Sequence, residues 1–282
     1  MIAFTKMHGA GNDFVVLDAT ALSLPPLERF SRHLCDRHFG VGADQVLVVE
    51  EPTPGTEADF RMDIYNADGS RVEMCANGIR AFYTYLRTHG HTEAEAVRVE
   101  TLGGVVVPRH VSPGQVQVDM GQPVLAPAKI PTGLGDGNGP VLDVPLQVGD
   151  REFQVSCASM GNPHCVIEVD DVDAFEVGTV GPTIEHHEAF PNRVNVEFIA
   201  VQSRDRIVQR TWERGTGETL ACGSGACAVA VTSMLRGAID RRVTIALRGG
   251  ELEIAWETND SHVFMTGPAA EVFTGEIPWE ET

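Results

Sequence analysis

Two stretches of this chain lie over one another without a gap: YNADGSRVEMCANGIRA (65–81) and WERGTGETLACGSGACA (212–228), at a constant offset of 147 residues. Tyr65 meets Trp212, Asn66 meets Glu213, Cys75 meets Cys222 and Gly78 meets Gly225. A second pair follows in the same order, GNDFVVLD from Gly11 and GNPHCVIEVD from Gly161, at an offset of 150. Matches that recur in order point to a half-unit built twice. The 282 residues leave room for two such domains, each with its own core.

The local patterns are β-rich with few helices. PPLERFSRHLCDRHFG carries Leu27, Phe30 and Leu34 at helical spacing, with proline in the first turn and Gly40 as a stop. CANGIRAFYTYLRTHG places Ile79, Phe82, Tyr83 and Leu86 on one helix face, and GSGACAVAVTSMLRG reads as a helix ending at Gly237. Alternating Phe60, Met62 and Ile64 mark a strand that runs into the turn-rich NADGS. Strands with glycine turns fill most of the rest, and a Pro/Gly/Ala-rich passage from about Gly121 to Gly139 reads as a boundary. The expected fold is α+β, with two pseudo-symmetric β-rich domains. Each is a mostly antiparallel sheet or barrel around a central helix, with the functional site in the cleft between them. The expected division is 1–120 and 121–268, with the 269–282 tail on the first domain.

Each half sets a cysteine just before a Gly/Asn/Ser-rich turn that opens a helix. The first helical turn has unpaired N–H groups and the positive end of the macrodipole, which bind a carboxylate and ease ionisation of a thiol. The ordinary role of a free cysteine is that of a small buried hydrophobe. That role suits Cys35 and Cys227 within helices and Cys157 and Cys165 in strands. It does not explain why Cys75 and Cys222 share one placement. Inverting a carbon next to a carboxylate needs one group to take a proton from one face and another to deliver one to the opposite face. Two thiols flanking one ligand supply that pair, and helix termini stabilise the charge that spreads into the carboxylate. His164 lies inside the repeated GN segment, and Glu213 and Arg214 precede Cys222.

Composition narrows the chemistry. A formal charge of −19 opposes nucleic acid as a partner, and no Lys/Arg run offers a local exception. The N-terminus lacks a charged segment followed by an apolar one, and no stretch approaches membrane-spanning length, so a soluble cytoplasmic protein is expected. Six cysteines without CxxC or zinc-type spacing read as reduced thiols, with no metal site. The only lysines, Lys6 and Lys129, do not follow a glycine-rich phosphate loop, which disfavours pyridoxal phosphate as the source of carbanion stabilisation.

At these residues the chain resembles the diaminopimelate epimerases. The resemblance rests on GAGNDF (9–14), FGVGADQ (39–45), YNADGSRVEMCANG (65–78), MGNPHC (160–165), NRVNVEF (192–198) and WERGTGETLACGSGACA (212–228). It implies conversion of LL- to meso-diaminopimelate without metal or other cofactor, in lysine and peptidoglycan precursor synthesis, by a homodimer. It makes Cys75 and Cys222 the acid–base pair, with His164 and Glu213 tuning the thiols. It assigns Asn12, Gln45, Asn66, Asn162, Asn195, Glu213 and Arg214 to the substrate's amino and distal carboxylate groups. Backbone N–H groups of Ala76, Asn77, Gly223 and Ser224 would hold the reacting carboxylate. Related racemases of histidine or proline are the alternative. The sequence departs from the family at Ala76, where glycine is usual; if that position needed φ > 0, alanine would cost roughly 1–2 kcal/mol.

Overall fold

The computed structural model describes residues 1–21, 23–137, 139–259 and 261–279. The chain divides into two compact units, Met1–Asp119 with Thr266–Thr282, and Met120–Met265. The first begins β1 (Ile2–Gly9), β2 (Asn12–Asp18), α1 (Leu27–Cys35), β3 (Gln45–Glu50), β4 (Phe60–Asn66), α2 (Ala76–Thr88), β5 (Val99–Thr101), β6 (Gly104–Val106), β7 (Arg109–Ser112) and β8 (Gln115–Asp119). The second holds β9 (Val144–Val148), β10 (Arg151–Ser159), β11 (Pro163–Glu168), α3 (Val177–Glu185), β12 (Asn195–Ser203), β13 (Arg206–Glu213), β14 (Gly217–Thr219), α4 (Gly223–Leu235), β15 (Arg242–Leu247) and β16 (Gly250–Ala255). The chain then returns through β17 (Phe264–Pro268) to β18 (Ala270–Ile277).

The duplication read from sequence is a duplication of topology. In the first unit the strands lie in the order β18-β1-β2-β3-β4-β5-β6; in the second the run is β9-β10-β11-β12-β13-β15-β16. Step by step, both are paired antiparallel, antiparallel, parallel, antiparallel, parallel, antiparallel. The parallel steps fall where a helix must carry the chain across, at α1 and α2 in one unit and α3 and α4 in the other. One strand differs in origin: the outer position filled by β9 in the second unit is filled by β18, from the chain's far end, in the first.

Burial explains the sequence patterns. Strand β2 buries Phe14–Leu17 without alternation because both faces are covered. Helix α4 is small and apolar on every side and is buried throughout except Ser224 and Leu235, as befits a helix touching β10, β11, β12, β15 and β16. Helix α2 plays the same part against β1, β2, β3, β8 and β18. Helix α3, which the sequence patterns do not signal, contains Gly178, Gly181 and Pro182. Its glycine answers to packing, since a Cβ on Gly181 would lie 2.6 Å from Trp212 Cγ. Among the described residues no helix is long and apolar enough to cross a membrane.

Ala76 is the first residue of α2 and is absent from the non-glycine residues with positive φ, which are Ala10, Pro131, Asp143 and Arg193. The alanine therefore costs no backbone strain. The repeated GN turns do need glycine: φ is +85° at Gly11 and +98° at Gly161.

Candidate active site

In the first unit, Cys75 caps α2. Its sulphur accepts the N–H of Gly78 at 3.3 Å, and the Ile79 N–H closes the first turn onto the Cys75 carbonyl at 2.8 Å. By helix geometry the N–H groups of Ala76 and Asn77 then have no acceptor inside the helix. The cysteine is half-buried, and its thiol meets Asn12 Oδ1 at 3.7 Å. Asn12 is held in turn: Asn77 Nδ2 donates to its Oδ1 at 3.4 Å, and its own Nδ2 donates to Asp44 at 2.8 Å. Gln45 Nε2 donates to Asn66 Oδ1 at 2.9 Å, and Asn66 Nδ2 donates to Ser70 at 3.0 Å. The opposite end of Gln45, its Oε1, is buried without a hydrogen-bond partner among the described residues.

The second unit repeats the cap. Cys222 precedes α4, its sulphur accepts the Gly225 N–H at 3.4 Å, and the Ala226 N–H reaches the Cys222 carbonyl at 2.9 Å. Gly223 and Ser224 occupy the turn that Ala76 and Asn77 occupy in the first unit, and the Ser224 hydroxyl is 3.5 Å from the sulphur. Here the cysteine is buried at 5% exposure. His164 stands beside it with Nδ1 2.8 Å from Glu197 and Nε2 3.0 Å from Asn162 Oδ1. Glu213 accepts from Thr219 Oγ1 at 2.5 Å. Asn195 is buried and ties the surroundings together: it donates to the Pro163 carbonyl at 2.9 Å and accepts the Arg214 N–H at 2.9 Å. The Arg214 side chain donates to the Asn192 carbonyl at 3.0 Å.

Burial dominates the electrostatics of this half. It pushes the Cys222 thiol well above its usual range, and the neighbouring Glu213 and Glu197 carboxylates add to the effect. Burial likewise raises the Glu213 carboxyl, against the pull of its Thr219 hydrogen bond. His164, Glu197 and Cys222 bring candidate ligand atoms within 4.8 Å of one another. The histidine and carboxylate are nevertheless already joined at hydrogen-bond distance, and Glu197 Oε2 also accepts from Gln209 at 2.7 Å and Thr211 at 2.5 Å. A cation there would displace an assembled hydrogen-bond set.

Within the first unit the structure brings together Asn12, Cys75, Ala76 and Asn77, with Gln45 and Asn66 joined beside each other. Within the second it gathers Asn162, His164, Glu213, Cys222, Gly223 and Ser224, with Asn195 bonded to Arg214. Sequence reasoning misses Glu197 and Arg80, both wholly buried. The signal was a charged residue inside the apolar strand VNVEFIAV and another on the apolar face of ANGIRAFYTYL.

Comparison with known proteins places the chain in a family. A family profile described as diaminopimelate epimerase matches residues 4–126 and 156–272. The diaminopimelate epimerase of Moorella thermoacetica is 49% identical over 280 residues, covering 98% of this chain and 99% of that protein. That of Nitrosomonas europaea is 48% identical over 276 residues, covering 98% of each. Among solved structures, a probable proline racemase from Agrobacterium radiobacter has a TM-score of 0.71 at 15% identity, covering 99% of this chain and 94% of that one. A phenazine biosynthesis protein of the PhzF family from Bacillus anthracis has a TM-score of 0.69 at 17% identity, covering 99% of each. At such identity these two speak to the shared fold alone.

Proposed function

Because the chain belongs to the diaminopimelate epimerase family, we propose that it is an isomerase interconverting LL- and meso-diaminopimelate, with Cys75 and Cys222 as the two proton-exchanging groups. The observation that carries this reading is the repeated cap: a cysteine at the N-terminus of a helix whose first turn offers N–H groups, once in each unit. One cysteine, as thiolate, takes the α-proton, and the C–H electron pair spreads into the α-carboxylate. The other, as thiol, gives its proton to the opposite face of the same carbon. The two cysteines end with their protonation states exchanged, and no further reactant is consumed. N–H groups of Ala76, Asn77, Gly223 and Ser224 would stabilise the charge growing on the carboxylate, in the manner of an oxyanion hole.

The rest of the substrate is a second amino-acid group, which needs donors and acceptors together. Asn12, Asn66, Asn162 and Asn195 offer both, Gln45 Oε1 is a buried acceptor in want of a donor, and Arg214 can fork onto a distal carboxylate. His164 and Glu213 would adjust the Cys222 thiol. The charge of −19 favours a small zwitterion over nucleic acid. As the family resemblance implies, we expect a cytoplasmic homodimer that uses neither metal nor pyridoxal phosphate.

The test is an assay with stereochemically pure LL-diaminopimelate, with histidine and proline as competing substrates and chiral separation of the products. Formation of meso-diaminopimelate well above any inversion of the other two supports the reading. Inversion of histidine or proline instead would replace it.

A further inference from the structure

Register makes the two half-sites comparable residue by residue. Strands β2 and β3 pair Phe14 with Gln45, as β11 and β12 pair His164 with Asn195. Strands β3 and β4 pair Leu47 with Ile64 and Val49 with Met62, as β12 and β13 pair Glu197 with Thr211 and Ile199 with Gln209. Phe14, Leu47, Ile64 and Met62 in the first unit therefore correspond to His164, Glu197, Thr211 and Gln209 in the second. All eight are buried. The first four are apolar; the second four form one hydrogen-bonded network, with Glu197 at its centre.

The contrast reaches the helix caps. A Cβ added to Gly78 would meet Leu47 Cδ2 at 3.2 Å, and one added to Gly225 would meet the Glu197 carboxylate carbon at 2.6 Å. The same place under the first turn thus holds a methyl group in one half and a carboxylate in the other. Two positions further along, the sign reverses. Arg80 of α2 is wholly buried and reaches back to the Ala76 carbonyl at 3.2 Å and to Asn77 Oδ1 at 2.8 Å, whereas its counterpart in α4 is Cys227.

A buried carboxylate is costly unless something requires it. The fold does not, because the first unit builds the same turn on leucine. We propose that Glu197 is a positioning residue that makes the two thiols unequal: held by Gln209 and Thr211, it orients His164 and sets a carboxylate beside Cys222 at the place where the first unit sets Leu47. The inference rests on the two-thiol reading of the site. From the strands against α4, the titratable side chains beside the Cys222 sulphur are Glu213, Glu197 and His164. The two carboxylates favour the protonated thiol, in line with the upward push on Cys222. In the first unit the corresponding place under the turn of α2 holds the uncharged Leu47. Inversion in one direction then starts from the resting enzyme, and the reverse direction first needs the proton moved from Cys222 to Cys75.

The experiment is alkylation of the substrate-free, full-length protein by iodoacetamide from about pH 6 to about pH 10, with each thiol followed by peptide mass mapping. The readout is the pH of half-maximal rate at each cysteine, which separates ionisation from access. In wild type, Cys75 should reach its midpoint at least about one pH unit below Cys222, a tenfold difference in thiolate at intermediate pH. Glu197→Gln should bring the Cys222 midpoint down by about one unit and leave Cys75 in place, and Glu197→Asp should restore the wild-type order. Equal or inverted midpoints in wild type, or an unmoved Cys222 midpoint in folded Glu197→Gln, would overturn the proposal. If Glu197→Gln does not fold, the wild-type order alone decides. Alkylation needs no turnover, so a protein that failed to epimerise diaminopimelate would refute the functional reading and leave this order standing.

Discussion

Cys75 and Cys222 hold the same position on the same kind of helix: each caps a 13-residue helix, and each sulphur accepts the N–H of the glycine three residues on, at 3.3 and 3.4 Å. Their surroundings differ, since Cys75 is half-buried beside Asn12 while Cys222 is buried among Glu213, Glu197 and His164. The two caps thus share their backbone geometry and differ in their side-chain environments.

The first prediction separates these two thiols from the other four. On the two-thiol reading, Cys75→Ala and Cys222→Ala should each reduce net inversion by at least about a thousandfold, because each removes one of the two proton-exchanging groups the step requires. Cys157 is wholly buried in β10 of the second core, so Cys157→Ala should cost about 1–2 kcal/mol of stability and leave kcat close to wild type. Chiral product analysis and thermal melts of the three variants distinguish the two outcomes.

A second prediction concerns the glycines under the caps. An alanine Cβ at Gly225 would sit 2.6 Å from the Glu197 carboxylate carbon, and that carboxylate is pinned by His164, Gln209 and Thr211. At Gly78 the nearest atoms are Cys75 Cβ at 3.1 Å and Leu47 Cδ2 at 3.2 Å, which can give by a few tenths of an ångström. Gly225→Ala should therefore destabilise by about 2–3 kcal/mol and Gly78→Ala by about 1 kcal/mol. Urea unfolding of both would show it, and equal losses would mean that Glu197 is free to move.

How far the sequence carried this reading follows from the kind of signal each feature leaves. The repeated cysteine–glycine turns were legible because they recur at one constant offset in the chain, and α2 and α4 because their burial is periodic or complete. Helix α3 was not, since Gly181 is set by contact with Trp212, a residue 31 positions away in the chain. Glu197 was also hidden: in an ordinary strand a lone glutamate faces water, and here hydrogen bonds to His164, Gln209 and Thr211 make its burial tolerable. Asn195 shows a further limit. The motif that singles it out does not show that its amide is already engaged, donating to the Pro163 carbonyl and accepting the Arg214 N–H.

The third prediction follows from that bond. Arg214 carries its guanidinium at the end of a backbone fixed by Asn195, and an ammonium at this position cannot reproduce a two-pronged contact with a carboxylate. Arg214→Lys should raise KM for diaminopimelate and lower kcat/KM by roughly 10- to 100-fold, about 1.4–2.7 kcal/mol, with little change in Tm. Unchanged kcat/KM would remove Arg214 from substrate recognition.

A fourth prediction concerns acid. Burial opposes ionisation of Asp13, but hydrogen bonds and charge from Arg37 and Lys6 outweigh it and hold the carboxyl at about 2. Lys6 itself is buried, donating to Asp13 at 2.6 Å and to the Gly42 carbonyl. A carboxyl with a depressed folded-state pKa contributes stability that is full above its unfolded value, 3.8 here, and is lost as pH falls through about 2. Asp13→Asn should lower stability at pH 7 and flatten the pH dependence between about 4 and 2, measured by urea unfolding across that window. A variant as acid-sensitive as wild type there would show that Asp13 does not carry the effect.

The last prediction reads the mechanism through isotope. In D2O, solvent-exchangeable thiols carry deuterium before substrate arrives. If one cysteine removes the substrate's α-proton and the other delivers from the opposite side, meso-diaminopimelate formed early from unlabelled LL-diaminopimelate should carry deuterium at the inverted carbon. The recovered LL-diaminopimelate should carry little, because the proton it lends returns from the same sulphur that took it. A single base serving both faces would either return the original proton to each or, if it exchanged with solvent, label substrate and product alike. The unequal environments of Cys75 and Cys222 add a condition: whichever thiol starts as thiolate sets the stereoisomer the resting enzyme accepts without a prior proton shift. Mass spectrometry of both pools below about one-tenth conversion, run from each stereoisomer, decides between the schemes. Equal early deuterium in substrate and product would exclude the two-thiol transfer, and deuterium confined to the product in both directions is the outcome the two capped cysteines require.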